Sequence, residues 1–173
     1  RQRMDLLMAR AWARFAQHRL SEIPAVLESA DSLLKDQEAS RAAPGELDFH
    51  HGHLLYWQGD APGALRQLER ARDRIPEDHT MIAGETELYL ALARQLSGDS
   101  DLAIQDLRQR TEASDPAAFT FLSRLVAAEV FVHLLDGGLP AAAGAARRMR
   151  AVAERGGNDF VAAWGRYLQA NSQ

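Results

Sequence analysis

Apolar residues recur at helical spacing along almost the whole chain, and the pattern is cut at even intervals by glycine. Gly59-Asp60, Gly98-Asp99 and Gly137-Gly138 follow one another at steps of thirty-nine residues. Glycine enters the left-handed conformation that ends a helix at no steric cost, so each pair marks a tight turn between two antiparallel helices. The spacing predicts an all-α chain of helical hairpins, with helices over 4–17 and 21–35, 45–58 and 62–74, 80–96 and 101–112, and 117–135 and 139–154. A last helix over 159–170 follows Gly156-Gly157. The corresponding units are 4–38, 44–78, 80–115 and 117–156, with a closing helix at 158–171.

Local signals fit these boundaries. His18-Arg19 occupies the first turn, and residues 37–44 form a polar connector. Pro62 suits a first helical turn, whereas Pro76 and Ser114-Asp115-Pro116 forbid continuation. Ser100 or Asp101 is the expected N-cap of the helix after Gly98.

Small residues repeat with the turns. Counted from Gly59, Gly52 lies seven before, Ala64 five after, Ala71 twelve after and Pro76 seventeen after. Gly98 has Ala91 and Ala103 at the first two offsets. The first unit keeps Ala11 and Ala30 but has His18 at the turn and Ile23 in place of an alanine, and in the fourth Gly137 precedes Ala142 inside an alanine run that leaves the register open. These are the small-residue and proline positions of a tetratricopeptide repeat, where close helix approach requires Gly or Ala. Asp48, His51 and Leu55 stand where Trp, Leu and Tyr are usual, and the period exceeds the ~34 residues of the plain repeat.

The longer helices, the period near forty, and phrases such as HLLYWQGDAPGALRQLERARDRIPED and ARAWARFAQHRLSEIPAVLESAD resemble the tetratricopeptide-like repeats of MalT-type transcriptional regulators of the LuxR superfamily. The resemblance covers nearly all of the chain. It implies one domain over 1–173, a right-handed superhelix of about four antiparallel helix pairs plus a final unpaired helix. It further implies an ATPase switch and a DNA-binding helix-turn-helix flanking the array in the parent chain, and an effector small molecule or a regulatory protein or peptide on the concave face. Arg1 with no leader pattern gives the matching expectation of a piece cut from a longer protein.

Composition narrows the classes. At 46% hydrophobic and 25% charged residues the chain has ordinary globular values, which argues against disorder. The longest apolar stretch, over 125–135, is broken by Glu129 and His133, short of the ~20 residues that span a bilayer. A net charge of −4 with interspersed Arg and Glu offers no basic face for phosphate backbones, so direct nucleic-acid contact is not expected. The absence of cysteine removes disulfides and thiolate metal sites and is compatible with a cytoplasmic location. No glycine-rich phosphate loop ending in Lys-Ser or Lys-Thr is present, and no cofactor is expected.

In such arrays the first helix of each pair lines the concave surface. Carried over by offset from each turn, the candidate binding strip comprises Trp12, Phe49, His53, Tyr56 and Trp57 from the first two units, and Glu85, Gln95 and Arg124 from the next two. Met8, Phe15, Glu46, Leu88, Leu92, Ala127, Phe131 and Leu134 accompany them. Aromatic residues with polar tips can stack on a ring or seat an apolar side chain. Aromatics at helical spacing also fill seams between units, and Trp12, Phe15 and Phe49 are read mainly as packing residues. Tyr56 and Trp57 are adjacent, so they point about 100° apart on a helix and at least one faces the groove.

Other clusters read blandly. His50 and His53 of the run His50-His51-Gly52-His53 share a face but lack a third ligand, so they are expected as surface histidines titrating near neutral pH and not as a metal site. Arg147-Arg148-Met149-Arg150 reads as a solvated helix face, with an acidic partner as the alternative. His18, His79 and His133 have no readable nucleophile or carboxylate partner, and no enzymatic site is expected.

Overall fold

The computed structural model describes residues 2–36, 43–76 and 78–172, and among these every regular element is a helix. Of the predicted connector at 37–44, residues 37–42 lie outside the described residues, and Ala43 and Pro44 already belong to α3. Two compact units are formed, Arg1–Glu77 and Asp78–Gln173. The first holds α1 (Gln2–Ala16), a 3₁₀ turn (Leu20–Glu22), α2 (Ile23–Asp36), α3 (Ala43–Trp57) and α4 (Ala61–Arg74). The second holds α5 (Thr80–Leu96), α6 (Ser100–Ala113), α7 (Phe119–Leu135), α8 (Leu139–Arg155) and α9 (Asp159–Asn171). None of these helices is long and apolar enough to cross a membrane.

In the first unit, α1 buries Met4, Met8, Ala11 and Phe15, a stripe at helical spacing, against Ile23, Val26, Leu27 and Ala30 of α2. Helix α3 is different. It is enclosed nearly all round, with Leu47, Asp48, Phe49, His50, Gly52, His53 and Leu54 buried, because α1 and α2 pack on it from one side and α4 from another. A Cβ on Gly52 would lie 2.6 Å from Leu68 Cγ, so the absence of a side chain there sets the α3–α4 distance. Ala64, Leu68 and Ala71 supply the facing stripe of α4.

The second unit repeats the plan around α7, which packs on α5, α6 and α8 and is buried continuously from Leu125 to Val130. Helix α9 packs on α8, and its Trp164 ring lies 5.6 Å from that of Phe131 on α7.

All five turns that begin a new helix from a tight connection use one device. His18, Gly59, Gly98, Gly137 and Gly157 have positive φ, from 54° to 87°. The following N–H reaches back five residues to a helix carbonyl: Arg19 to Arg14, Asp60 to Leu55 and Asp99 to Arg94 at 2.9 Å, Gly138 to His133 at 2.8 Å, and Asn158 to Ala153 at 2.9 Å. That bond satisfies a carbonyl the helix end would otherwise leave bare. Nothing lies within 4 Å of a Cβ built on Gly98, so Gly98→Ala tests conformation alone. It is expected to lower stability by about 1 kcal/mol, read as a urea midpoint shift, while His18→Gly should raise stability by a similar amount.

The caps differ from expectation at one turn. Asp60 caps α4 by accepting the Gly63 N–H at 2.9 Å, and Asn158 caps α9 through the Val161 N–H at 3.0 Å. Helix α6 starts at Ser100 with Asp99 in the cap position and no side-chain cap bond. The Ser100 hydroxyl is not a cap because it donates to Asp136 Oδ1 at 2.8 Å instead.

Buried carboxylates recur in register with the turns. Asp48, eleven residues before Gly59, pairs with Arg70 at 3.2 Å and Arg74 at 2.8 Å; Glu87, eleven before Gly98, pairs with Arg110 at 3.1 Å. Each joins the first helix of a hairpin to the second, and each acid is almost wholly buried. A buried charge needs such a partner to remain ionised.

Candidate functional site

The predicted strip falls in both units and is described within each. In the first, Trp12 and Phe15 of α1 meet Phe49, His50 and His53 of α3 in a single aromatic cluster. Trp12 stacks on Phe49 at 5.3 Å and meets His50 edge-on at 5.2 Å, and Phe15 stacks on His53 at 3.8 Å. Phe49 is fully enclosed and His53 exposes only 3% of its surface. These two therefore present nothing to a groove, because α3 is surrounded and its ring-bearing side chains form the seam with α1. Trp12 and Tyr56 are half-buried, and Trp57 remains 46% exposed. The Trp57 Nε1–H donates to His53 Nε2 at 2.8 Å, and the His18 ring lies edge-on to Trp57 at 6.1 Å. Burial raises the Tyr56 hydroxyl above its ordinary pKa.

The reading of His50 and His53 as surface histidines is overturned. Burial, reinforced by the charge of His51, lowers the His50 pKa to about 3, and burial followed by the charge of His50 lowers His53 to about 3. His51 points elsewhere, with Nε2 3.1 Å from Asp31 Oδ2 of α2. Among the described residues no group of three or more His, Asp or Glu side chains could hold a metal ion.

In the second unit, Glu85 and Arg124 engage each other at 3.1 Å. A Cβ on Gly84 would lie 2.7 Å from that of Arg124, so the glycine lets α7 approach α5 there. Burial raises the Glu85 pKa against the opposing influence of Arg124. Gln95 Nε2 donates to Asp136 Oδ1 at 3.3 Å and so ties the end of α5 to the α7–α8 turn.

A concavity of this unit lies beside α6. Two adjoining clefts, about 660 and 980 Å³, share Arg108 and Glu112. Ser100, Asp101, Ile104, His133 and Asp136 line the first, and Val126, Glu129, Arg148, Val152 and Arg155 the second. Together they make an open trough along one flank of α6, bounded by α7 and α8.

Glu129 organises its floor. Only 4% exposed, it accepts Arg108 Nε at 3.0 Å and lies 2.6 Å from Arg148 Nη2, with His133 Nε2 at 3.7 Å. Burial pushes its pKa up, but the bonds and charges of Arg148 and Arg108 outweigh this and hold the carboxyl below its ordinary range. In the run 147–150, Arg147 and Arg148 are exposed and Arg150 half-buried, as a solvated face requires, while Arg148 also reaches Glu129 and Met149 is fully buried.

Although Ser100, His133 and Asp136 share a cleft, the serine hydroxyl donates to the aspartate while the histidine faces Glu129. No serine–histidine bond of the kind that activates a nucleophile is made here. Sequence reasoning missed the trough residues Ser100, Asp101, Ile104, Arg108, Asp136 and Arg148. The signal that pointed to some of them was Glu129, a lone carboxylate inside an apolar stretch, which demands cations from neighbouring helices. No family model, no curated protein and no solved structure matches this chain.

Proposed function

We propose that this chain is a recognition module of helical hairpins, the sensor array of a MalT-like transcriptional regulator of the LuxR superfamily, and that it takes an extended segment of a regulatory protein along the trough beside α6. The observation that carries this reading is the trough itself. Helix α6 has fourteen residues, about 21 Å at ~1.5 Å per residue, which matches about six residues of extended chain. Its open form, polar at the first cleft and apolar around Val126, Ala151 and Val152 at the second, suits an extended segment with alternating side chains better than a small effector, which calls for an enclosed pocket. The repeat resemblance supports the regulatory setting, with the ATPase and DNA-binding parts supplied by the parent chain.

Panning the protein against a phage-displayed library of short peptides tests the proposal. Gln105 and Gln109 line the first cleft and are exposed, so tryptophan at either position fills the trough without touching the core. Selected peptides are expected to lose at least about tenfold in affinity on Gln105→Trp or Gln109→Trp, and to bind unchanged to Tyr56→Ala and Trp57→Ala. Peptides indifferent to the two tryptophan variants, or a library that yields no binder, defeat the trough as the site. Loss of binding on Tyr56→Ala and Trp57→Ala alone would return the site to the first helices of each pair.

A further inference from the structure

The interior of the first unit contains two histidines in a setting that tolerates only their neutral forms. His50 exposes none of its surface, and neither ring nitrogen has a hydrogen-bond partner. Trp12 at 5.2 Å, Phe15 at 5.8 Å and Phe49 at 5.2 Å wall its ring. His53, one turn further along α3, is stacked on Phe15 and bound to Trp57. The indole N–H is donor-only, so His53 Nε2 must be the acceptor and carries no proton. Protonation would set donor against donor at His53 Nε2 and bury a cation at His50 with no hydrogen-bond acceptor on either ring nitrogen.

The charged groups around the pair are largely committed elsewhere. On α3, Asp48 pairs with Arg70 and Arg74 of α4, and His51 faces Asp31 of α2; Glu46 lies one turn before His50. From α1 come Arg10 and Arg14, the latter bound to Glu22. His51 acts on His50, and His50 on His53, each as a cation once charged.

We propose that His50 and His53 form an acid-sensitive latch, whose protonation opens the first unit and uncovers the Trp12–Phe15–Phe49 surface while the second unit remains folded. The direction follows from the proton balance. Above pH 6.5, the ordinary histidine value, closed and opened chains both leave the rings neutral, and the full stability is present. Below it the opened chain binds protons that the closed chain refuses until about pH 3. The opening equilibrium therefore rises up to about tenfold per pH unit for each histidine, and about a hundredfold for the two. Glu129 of the second unit, its pKa held below the ordinary value, stays ionised through the upper part of this window.

The test uses the whole chain carrying Trp164→Phe, so that Trp12 and Trp57 alone report by fluorescence. The urea midpoint of that signal is expected to fall as the pH is lowered from 7.5 to 5. His50→Phe combined with His53→Gln, which preserves a ring in one place and an acceptor for Trp57 in the other, should remove most of that dependence. A midpoint constant with pH, or a double variant that follows the same slope, overturns the latch. Should the double variant fail to fold, histidine ring NMR on the unaltered chain decides: His50 and His53 must stay neutral in the folded state to below pH 5, and midpoints near 6.5 overturn the proposal. Hydrogen exchange at pH 5.5 should show α1 to α4 losing protection ahead of α5 to α9; equal loss in both units overturns its selectivity.

Discussion

Gly52→Val is expected to destabilise the first unit by about 3 kcal/mol, one of the two largest effects of a defined substitution in this molecule. Its Cβ would stand 2.6 Å from Leu68 Cγ, 2.9 Å from Leu68 Cδ2 and 3.2 Å from the Ala64 carbonyl. Leu68 is itself fully buried and has nowhere to turn, so α3 and α4 must separate along their contact. The measurement is urea unfolding followed by Trp12 and Trp57 emission in the Trp164→Phe chain. Gly144, in the middle of α8, supplies the counter-case: a Cβ there would meet only the flexible ends of Arg147 and Arg148 at 3.8 and 3.9 Å. Gly144→Ala should therefore stabilise by about 0.5–1 kcal/mol through the lost helix-interior glycine. Equal and small effects at both positions would mean that the α3–α4 seam is looser than its geometry requires.

The contrast between these glycines bears on what the chain reveals of itself. Helix-ending glycines are legible because only they take positive φ without strain, and Gly59, Gly98 and Gly137 all do so. Helix α5 accordingly spans the residues its spacing predicts, Thr80–Leu96, and the other helices lie within about two residues of expectation. A mid-helix glycine carries no such mark, and Gly52 is distinguished from Gly144 only by its place relative to the turn.

The candidate site was legible to a much smaller degree. On α3 His50 and His53 read as surface histidines, yet both are buried, and so is Asp48. Their burial is possible because Asp48 is met by arginines eleven and fifteen residues beyond Gly59, and because the imidazoles can remain neutral among aromatic rings. Neither condition shows in the local spacing of apolar residues, which registers polarity and not whether it is satisfied. The trough was illegible for a different reason. Its walls come from α6, α7 and α8, and a concavity between three helices is a property of how they diverge, which no single helix encodes. What the chain did carry was the mismatch of Glu129 with its surroundings, together with the exposed arginine run from which Arg148 reaches it.

That mismatch leads to the second large effect. Arg108→Ala combined with Arg148→Ala is expected to destabilise the second unit by about 3–4 kcal/mol at neutral pH, because it leaves the buried Glu129 without either arginine and with only His133 Nε2, at 3.7 Å, beside it. Removing a single arginine should cost much less, since the other still holds the carboxylate. The pH dependence separates lost charge pairing from lost packing. In the unaltered chain the Glu129 pKa lies below its ordinary value of 4.5, so its contribution is complete above pH 4.5 and is lost as the pH falls through the folded value. In the double variant burial acts unopposed and raises that pKa, so the deficit should shrink as acid neutralises the carboxyl. Adding Glu129→Leu to the double variant should recover much of the lost stability at neutral pH, because it replaces a charge stripped of its arginines with an apolar side chain in the cleft that Val126 and Val152 also line. Thermal unfolding followed by Trp164 in a Trp12→Phe/Trp57→Phe background supplies all three readings. A deficit that persists unchanged from pH 7 to pH 4, with no recovery in the triple variant, would assign the two arginines to packing through their aliphatic stems and deprive the trough floor of its electrostatic origin.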